Sequence, residues 1–267
     1  MMTLKNICHS SRAHRRETNQ DHCFFLEYNG SPQGEAAMSI LCVLDGVSGA
    51  NGGEAVRIAA PAMMPELASL LGKAHSLLSM DNYSKEDIIL GAMVRAIRNA
   101  QDQLQSTGYH CGTTATIVTV FDGIAYAANV GDSPAYLLEI PPLGGAVQLT
   151  PLFQCHNEAG EALQRGELTP EEARNSPLRN RLMRMVGSID FLPGDIYTTT
   201  EWLGQQNLLL LGSDGALSVL PEEVLLELAA DYPVQDPELL IQRLYQKICS
   251  TRSTDNFTVL AQGVDTE

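Results

Sequence analysis

Residues 113–130 constrain the fold more than any other stretch. They hold two β-rich apolar runs, 113–121 and 124–130, separated only by Asp122-Gly123. Asp-Gly suits a two-residue hairpin because both turn positions need φ > 0. So short a link permits only antiparallel pairing. A further strand over 135–140 ends at the Pro/Gly turn 141–145, and 146–149 can pair back. The apolar run 40–44 reads as a buried strand that delivers Asp45-Gly46 to a loop with four glycines between 46 and 53.

Helical spacing takes over elsewhere. Glu54 opens a pattern running to Leu71, which Pro61 and Pro65 are expected to kink or segment. Ile89, Met93, Ile97 and Leu104 form a stripe, with Ser84 and Asp87 resembling a capping box and Gly108 a stop. Residues 150–194 are polar, arginine-rich and weakly helical, which predicts an irregular insertion with two or three short helices. Strands resume over 196–200 and 207–211. Two helices follow, the second opening on Asp236-Pro237, and a last strand covers 257–262. This order predicts an α+β fold of antiparallel sheets packed together with helices outside.

Acids outnumber bases 32 to 17, for a formal charge of -15. Such a chain is a poor partner for nucleic acid or an anionic membrane, both of which demand clustered positive charge. No apolar run approaches the roughly 20 residues that span a bilayer. Residues 1–16 are polar and basic, without a secretory signal, so a cytoplasmic protein is expected. Six cysteines form no CxxC pattern. Cys8-His9, His22-Cys23, His110-Cys111 and Cys155-His156 invite a zinc reading, but neighbours on a strand point to opposite faces. Reduced thiols of a cytosolic protein are the expectation.

The chemistry sits at strand ends. Asp45, Asp132, Asp214 and Asp255 each close or precede a predicted strand beside small residues. Taken singly these are turn residues. Gathered at one rim they would repel one another and require a hard cation such as Mg²⁺ or Mn²⁺.

Seven ordered segments carry a family resemblance: residues 16–21 (RETNQD), 43–49 (VLDGVSG), 112–115 (GTTA), 129–133 (NVGDS), 166–173 (GELTPEEA), 211–215 (LGSDG) and 255–259 (DNFTV). With them the chain resembles the metal-dependent protein serine/threonine phosphatases of the protein phosphatase 2C family, in a bacterial, single-domain form. The resemblance implies a four-layer αββα sandwich of two antiparallel sheets flanked by helix pairs, built from residues 1–267 as one catalytic domain. A flap-like insertion is implied around 150–194. It also implies hydrolysis of phosphoserine and phosphothreonine monoesters by a water activated at a dinuclear Mn²⁺ or Mg²⁺ centre. Asp45 would bridge the two metals, the Gly46 carbonyl would bind one, and Asp214 and Asp255 would hold the other. Asp21 would act through metal-bound water, and Arg16 would bind the phosphoryl group.

Departures from the family pattern are Gln20, Pro134, Val47 and Ser218. Ser218 removes a carboxylate that supports a third metal in many relatives, although Asp132 remains. His156 is a candidate leaving-group acid, with a surface or loop histidine the simpler expectation. Arg174, Arg179, Arg181 and Arg184 form a candidate basic lip, with Arg181 and Arg184 on one helical face. Phosphorylated proteins are the implied partners of a monomer. The alternatives are a catalytically silent, phosphatase-like binding module and a small-molecule phosphohydrolase.

Overall fold

The computed structural model describes residues 2–12, 17–30, 37–47, 51–108, 110–230, 237–251 and 253–266. Ten strands form two sheets of five, and every pairing is antiparallel. The first sheet runs β1 (Met2–Arg12), β10 (Phe257–Thr266), β9 (Gln206–Gly212), β6 (Ala135–Glu139), β7 (Gln148–Pro151). The second runs β2 (Asp21–Tyr28), β3 (Met38–Asp45), β4 (Ala115–Phe121), β5 (Ile124–Val130), β8 (Tyr197–Trp202). The 122–123 link is the anticipated tight hairpin, with φ of 51° at Asp122 and 76° at Gly123.

Three apolar layers hold the sandwich together. Leu41, Val43, Val118, Val120, Ala125 and Ala127 of one sheet meet Ala135, Leu137, Leu209, Leu211, Leu260 and Val264 of the other. The alternate residues of β3, Met38, Ile40, Cys42 and Leu44, pack outward against α1 (Gly52–Leu71) and α3 (Asn82–Ser106). This two-sided burial explains why residues 40–44 read as an unbroken apolar run. On the other outer face, Leu208, Leu210, Phe257 and Val259 pack with α6 (Glu222–Ala230) and α7 (Pro237–Ser250). The four-layer αββα expectation therefore holds.

Several local expectations are corrected. Helix α1 runs unbroken through Pro61 and Pro65. Both prolines are exposed, so water can reach the carbonyls of Arg57 and Pro61 that lose their N–H partners. The opposite stripe, Ala55, Ala59, Met63, Leu67 and Leu70, is buried and keeps the helix seated. Asp81, not Ser84, caps α3: its carboxylate accepts from the Ser84 N–H at 3.0 Å and the Ser84 hydroxyl at 2.7 Å. Strands β1 and β2 were not anticipated, and β10 extends beyond Gln262 to Thr266. The insertion holds α4 (Glu158–Gln164), α5 (Pro170–Asn175) and two 3₁₀ turns, as expected. The short helix α2 (Ala74–Leu77) follows α1. Asp236 lies outside the described residues.

Candidate active site

One end of the sandwich collects the strand-end aspartates. Asp45 ends β3, and its register partner Asp21 begins β2. Asp132 lies between β5 and β6, and Asp255 precedes β10. Asp214 follows β9 at the start of a π-helical turn, Asp214–Ser218. Asp45, Gly46, Asp132, Asp214 and Asp255 line one cavity of about 880 Å³, while Asp21 is buried behind them.

Backbone geometry fixes Asp45. Thr114 Oγ1 accepts from the Asp45 N–H at 3.0 Å and shares a 2.7 Å bond with Ser133 Oγ. The Asp45 carbonyl accepts from the Thr114 N–H at 2.8 Å and Thr113 Oγ1 at 2.9 Å. Beyond it the chain presses against itself. A Cβ on Gly46 would stand 2.5 Å from the Gly52 carbonyl, and one on Gly52 would stand 2.3 Å from the Gly46 carbonyl carbon. Real side chains cannot fit there, so this turn requires glycine at both positions.

The neighbouring aspartates are held as firmly. Ser213 Oγ donates to Asp21 Oδ2 at 2.8 Å and accepts from the Thr258 N–H at 3.0 Å. Asn256 ties the 18–20 segment to β10, accepting from the Gln20 N–H and donating to the Thr18 carbonyl, both at 3.0 Å. Asn157 caps α4 with its side-chain oxygen and donates its amide to Asp132 Oδ2 at 2.9 Å, linking the insertion to the cavity. Nothing in the sequence pattern marks Thr114, Ser133, Ser213, Asn157 and Asn256 as supports of the site. Four of them lie inside the matched segments, where they looked like β-formers or turn residues.

The carboxylates crowd one another. Burial, followed by the charges of Asp21, Asp214 and Asp132, drives the Asp45 carboxyl far above its usual range. Asp132 is pushed up to about 7 by burial and by Asp214. Asp21 rises to about 6, chiefly through burial. Buried carboxylates this close raise one another's pKa, and an added cation relieves that repulsion. Among the described residues no three acidic, histidine or cysteine side chains are already drawn into a metal cage. The donor set is all hard oxygen, which fits Mg²⁺ or Mn²⁺ rather than zinc.

The remaining candidates divide. His156 is buried rather than on the surface: its Nδ1 accepts from the Gly131 N–H at 3.1 Å, and burial lowers its pKa to about 4. The proposed lip splits in two. Arg181 pairs with Glu158 at 3.1 Å, and Arg184 pairs with Glu161 at 3.2 Å and Asp195 at 3.4 Å, in a non-helical stretch rather than on one helical face. Arg174 and Arg179 instead line the cavity and make no ion pair among the described residues. Gln20 offers its carbonyl to the Gly46 N–H at 3.2 Å, and the Pro134 carbonyl accepts from the Gly212 N–H at 2.9 Å. Ser218 ends the π-helical turn. Arg16 lies outside the described residues.

This two-sheet sandwich is the fold of the PPM serine/threonine phosphatases. Mycobacterium smegmatis MsPP matches it with a TM-score of 0.70 at 27% identity, over 99% of this chain and 100% of that one. The catalytic domain of the phosphatase PstP matches with a TM-score of 0.70 at 20% identity over the whole of both chains. The chain belongs to the protein phosphatase 2C family, whose model matches residues 8–142. Protein phosphatase PhpP of Streptococcus pneumoniae is 27% identical over 157 residues, 58% of this chain and 59% of that protein. The chain thus spans about three fifths of the length of the first curated relatives it matches. Among the described residues no helix is long and apolar enough to cross a membrane.

Proposed function

We propose that this protein is a serine/threonine phosphatase that hydrolyses phosphoserine and phosphothreonine monoesters on proteins, using two divalent cations, Mn²⁺ or Mg²⁺. The observation that carries this reading is the gathering of Asp45, Asp132, Asp214 and Asp255 around one open cavity, with Asp21 buried opposite Asp45 in the strand register. Such a cluster is unfavourable until a cation neutralises it. Two solved complexes support the reading. PstP was solved with two manganese ions, and MsPP with cacodylate, a tetrahedral oxyanion.

Asp45, the Gly46 carbonyl, Asp214 and Asp255 would hold the cations. Asp21 would act through water, and with Ser218 in place of an acid the Asp132 side offers a third ion little support. When bound, the cations supply Lewis-acid charge and make water nucleophilic at neutral pH. The chain's own contribution is orientation. Thr114, Ser133 and the Gly46–Gly52 contact fix the Asp45 backbone. Ser213 holds Asp21, and Asn157 holds Asp132. Arg16 would bind the phosphoryl oxygens, while Arg174 and Arg179 add positive charge on the facing wall. His156 is buried with its Nδ1 held by the Gly131 N–H, and it does not line the cavity, which argues against it as the source of the leaving-group proton.

In this reading residues 1–267 act as one catalytic domain, a cytoplasmic monomer with 150–194 as its flap. The five described cysteines are all free, which suits a reducing compartment. The test is phosphate release from a phosphothreonine peptide with and without Mn²⁺. We expect Mn²⁺-dependent activity that Asp214→Asn abolishes; an Asp214→Asn variant as active as the parent sinks the assignment.

A further inference from the structure

A second cavity, of about 270 Å³, lies at the opposite end of the β2–β8 sheet. Its walls include Tyr83 and Glu86 from the start of α3, Tyr126 of β5, and Thr200 and Trp202 of β8. Register explains the assembly. Tyr126 pairs with Thr200 and Ile124 with Trp202, so alternate residues of both strands turn to the face that α3 covers. Asp132 lies six positions beyond Tyr126, or about 20 Å along an extended strand. The cleft is therefore separate from the aspartate cavity.

Three observations point to a ligand. Tyr126 is 1% exposed, yet its hydroxyl has no hydrogen-bond partner. Burying such a group unpaired is costly, so an occupant that supplies a partner is favoured. Tyr83 and Trp202 flank the cleft at 84% and 67% exposure, large aromatic faces left in water. Glu86 makes no ion pair among the described residues, whereas the adjacent Lys85 is taken by Asp122. Burial and the charges of Asp122 and Glu86 hold the Tyr126 phenol up at about 12, so it stays neutral.

Aromatic faces beside an unpaired carboxylate recognise a cation, and a planar guanidinium serves all three groups at once. It stacks on an indole or phenol ring, pairs with a carboxylate, and donates an N–H to a phenol oxygen. The volume falls just below the roughly 300–1,000 Å³ of small-molecule sites and suits one side chain. The formal charge of -15 draws basic partners. We propose that this cleft docks an arginine side chain presented by a partner polypeptide, remote from the aspartate cavity.

Trp202 is the only tryptophan, so tryptophan emission, excited at the red edge where the eight tyrosines do not absorb, reports on the cleft. The probes are a short arginine-containing peptide with blocked ends and its citrulline counterpart, the neutral isostere. We expect a saturable response to the arginine peptide and at most a weak one to the citrulline peptide. Glu86→Gln by fluorescence and Trp202→Ala by calorimetry should each weaken binding roughly threefold to tenfold. The thermal unfolding midpoints of both variants should match the parent's, showing that they fold. Lack of a saturable response, equal responses to the two peptides, or unchanged affinity in Glu86→Gln would overturn the proposal. Because an unfolding midpoint equal to the parent's shows that both variants fold even if the chain releases no phosphate, the binding outcomes stand apart from the catalytic reading.

Discussion

Thr114 does more for the site than its small side chain suggests. Its hydroxyl accepts from the N–H of Asp45, the last residue of β3, and bonds Ser133 in the link between β5 and β6. Thr114→Val keeps the shape and removes the bonds. It should destabilise the fold by about 1–3 kcal/mol, read as a lower Tm, and reduce phosphate release. His156 supplies a pH test. Its folded pKa is about 4 against 6.5, so between those values the unfolded chain binds more protons than the folded one. Its contribution is full above about pH 6.5 and is lost as pH falls toward 4. The Tm gap between the parent and His156→Gln should therefore be wider at pH 7.5 than at pH 5; an equal gap contradicts the neutral, buried imidazole. The gathering of the Asp-Gly and Gly-Asp pairs at one rim was legible, because residue type and position at strand ends sufficed. The supporting hydroxyls and amides were not, because their partners lie as far as 238 residues away in sequence.

Elements were legible where the signal is local. The 122–123 hairpin, β3 and the stripe of α3 follow from turn chemistry and period. Strand β1 pairs with β10 from the far end of the chain, Met2 opposite Thr266, and nothing local announces that. Helix α1 was misread for the opposite reason. Two prolines are a strong local signal, but tertiary packing of the buried stripe overrides it. If that explanation is correct, Pro61 is a tolerated cost. Pro61→Ala should stabilise the protein by about 1–3 kcal/mol, seen as a rise in Tm. A fall in Tm would mean that the proline is needed for the helix path.

At the scale of the molecule, the fold turns a surplus of acid into a site. Both sheets deliver carboxylates to one end, Asp21 and Asp45 from one, Asp214 and Asp255 from the other, with Asp132 between them. The insertion brings Arg174 and Arg179 to the same cavity while pairing off Arg181 and Arg184. The charge of -15 still argues against nucleic acid, yet it leaves room for an anionic substrate at a mouth where positive side chains converge. The central claim is that the clustered aspartates exist to hold divalent cations. Calorimetric titration of the metal-free protein with Mn²⁺ tests it most directly. Two ions should bind per chain, with proton release, and binding should be at least about tenfold weaker in Asp45→Asn. Absence of Mn²⁺ binding, or equal affinity in Asp45→Asn, would contradict it.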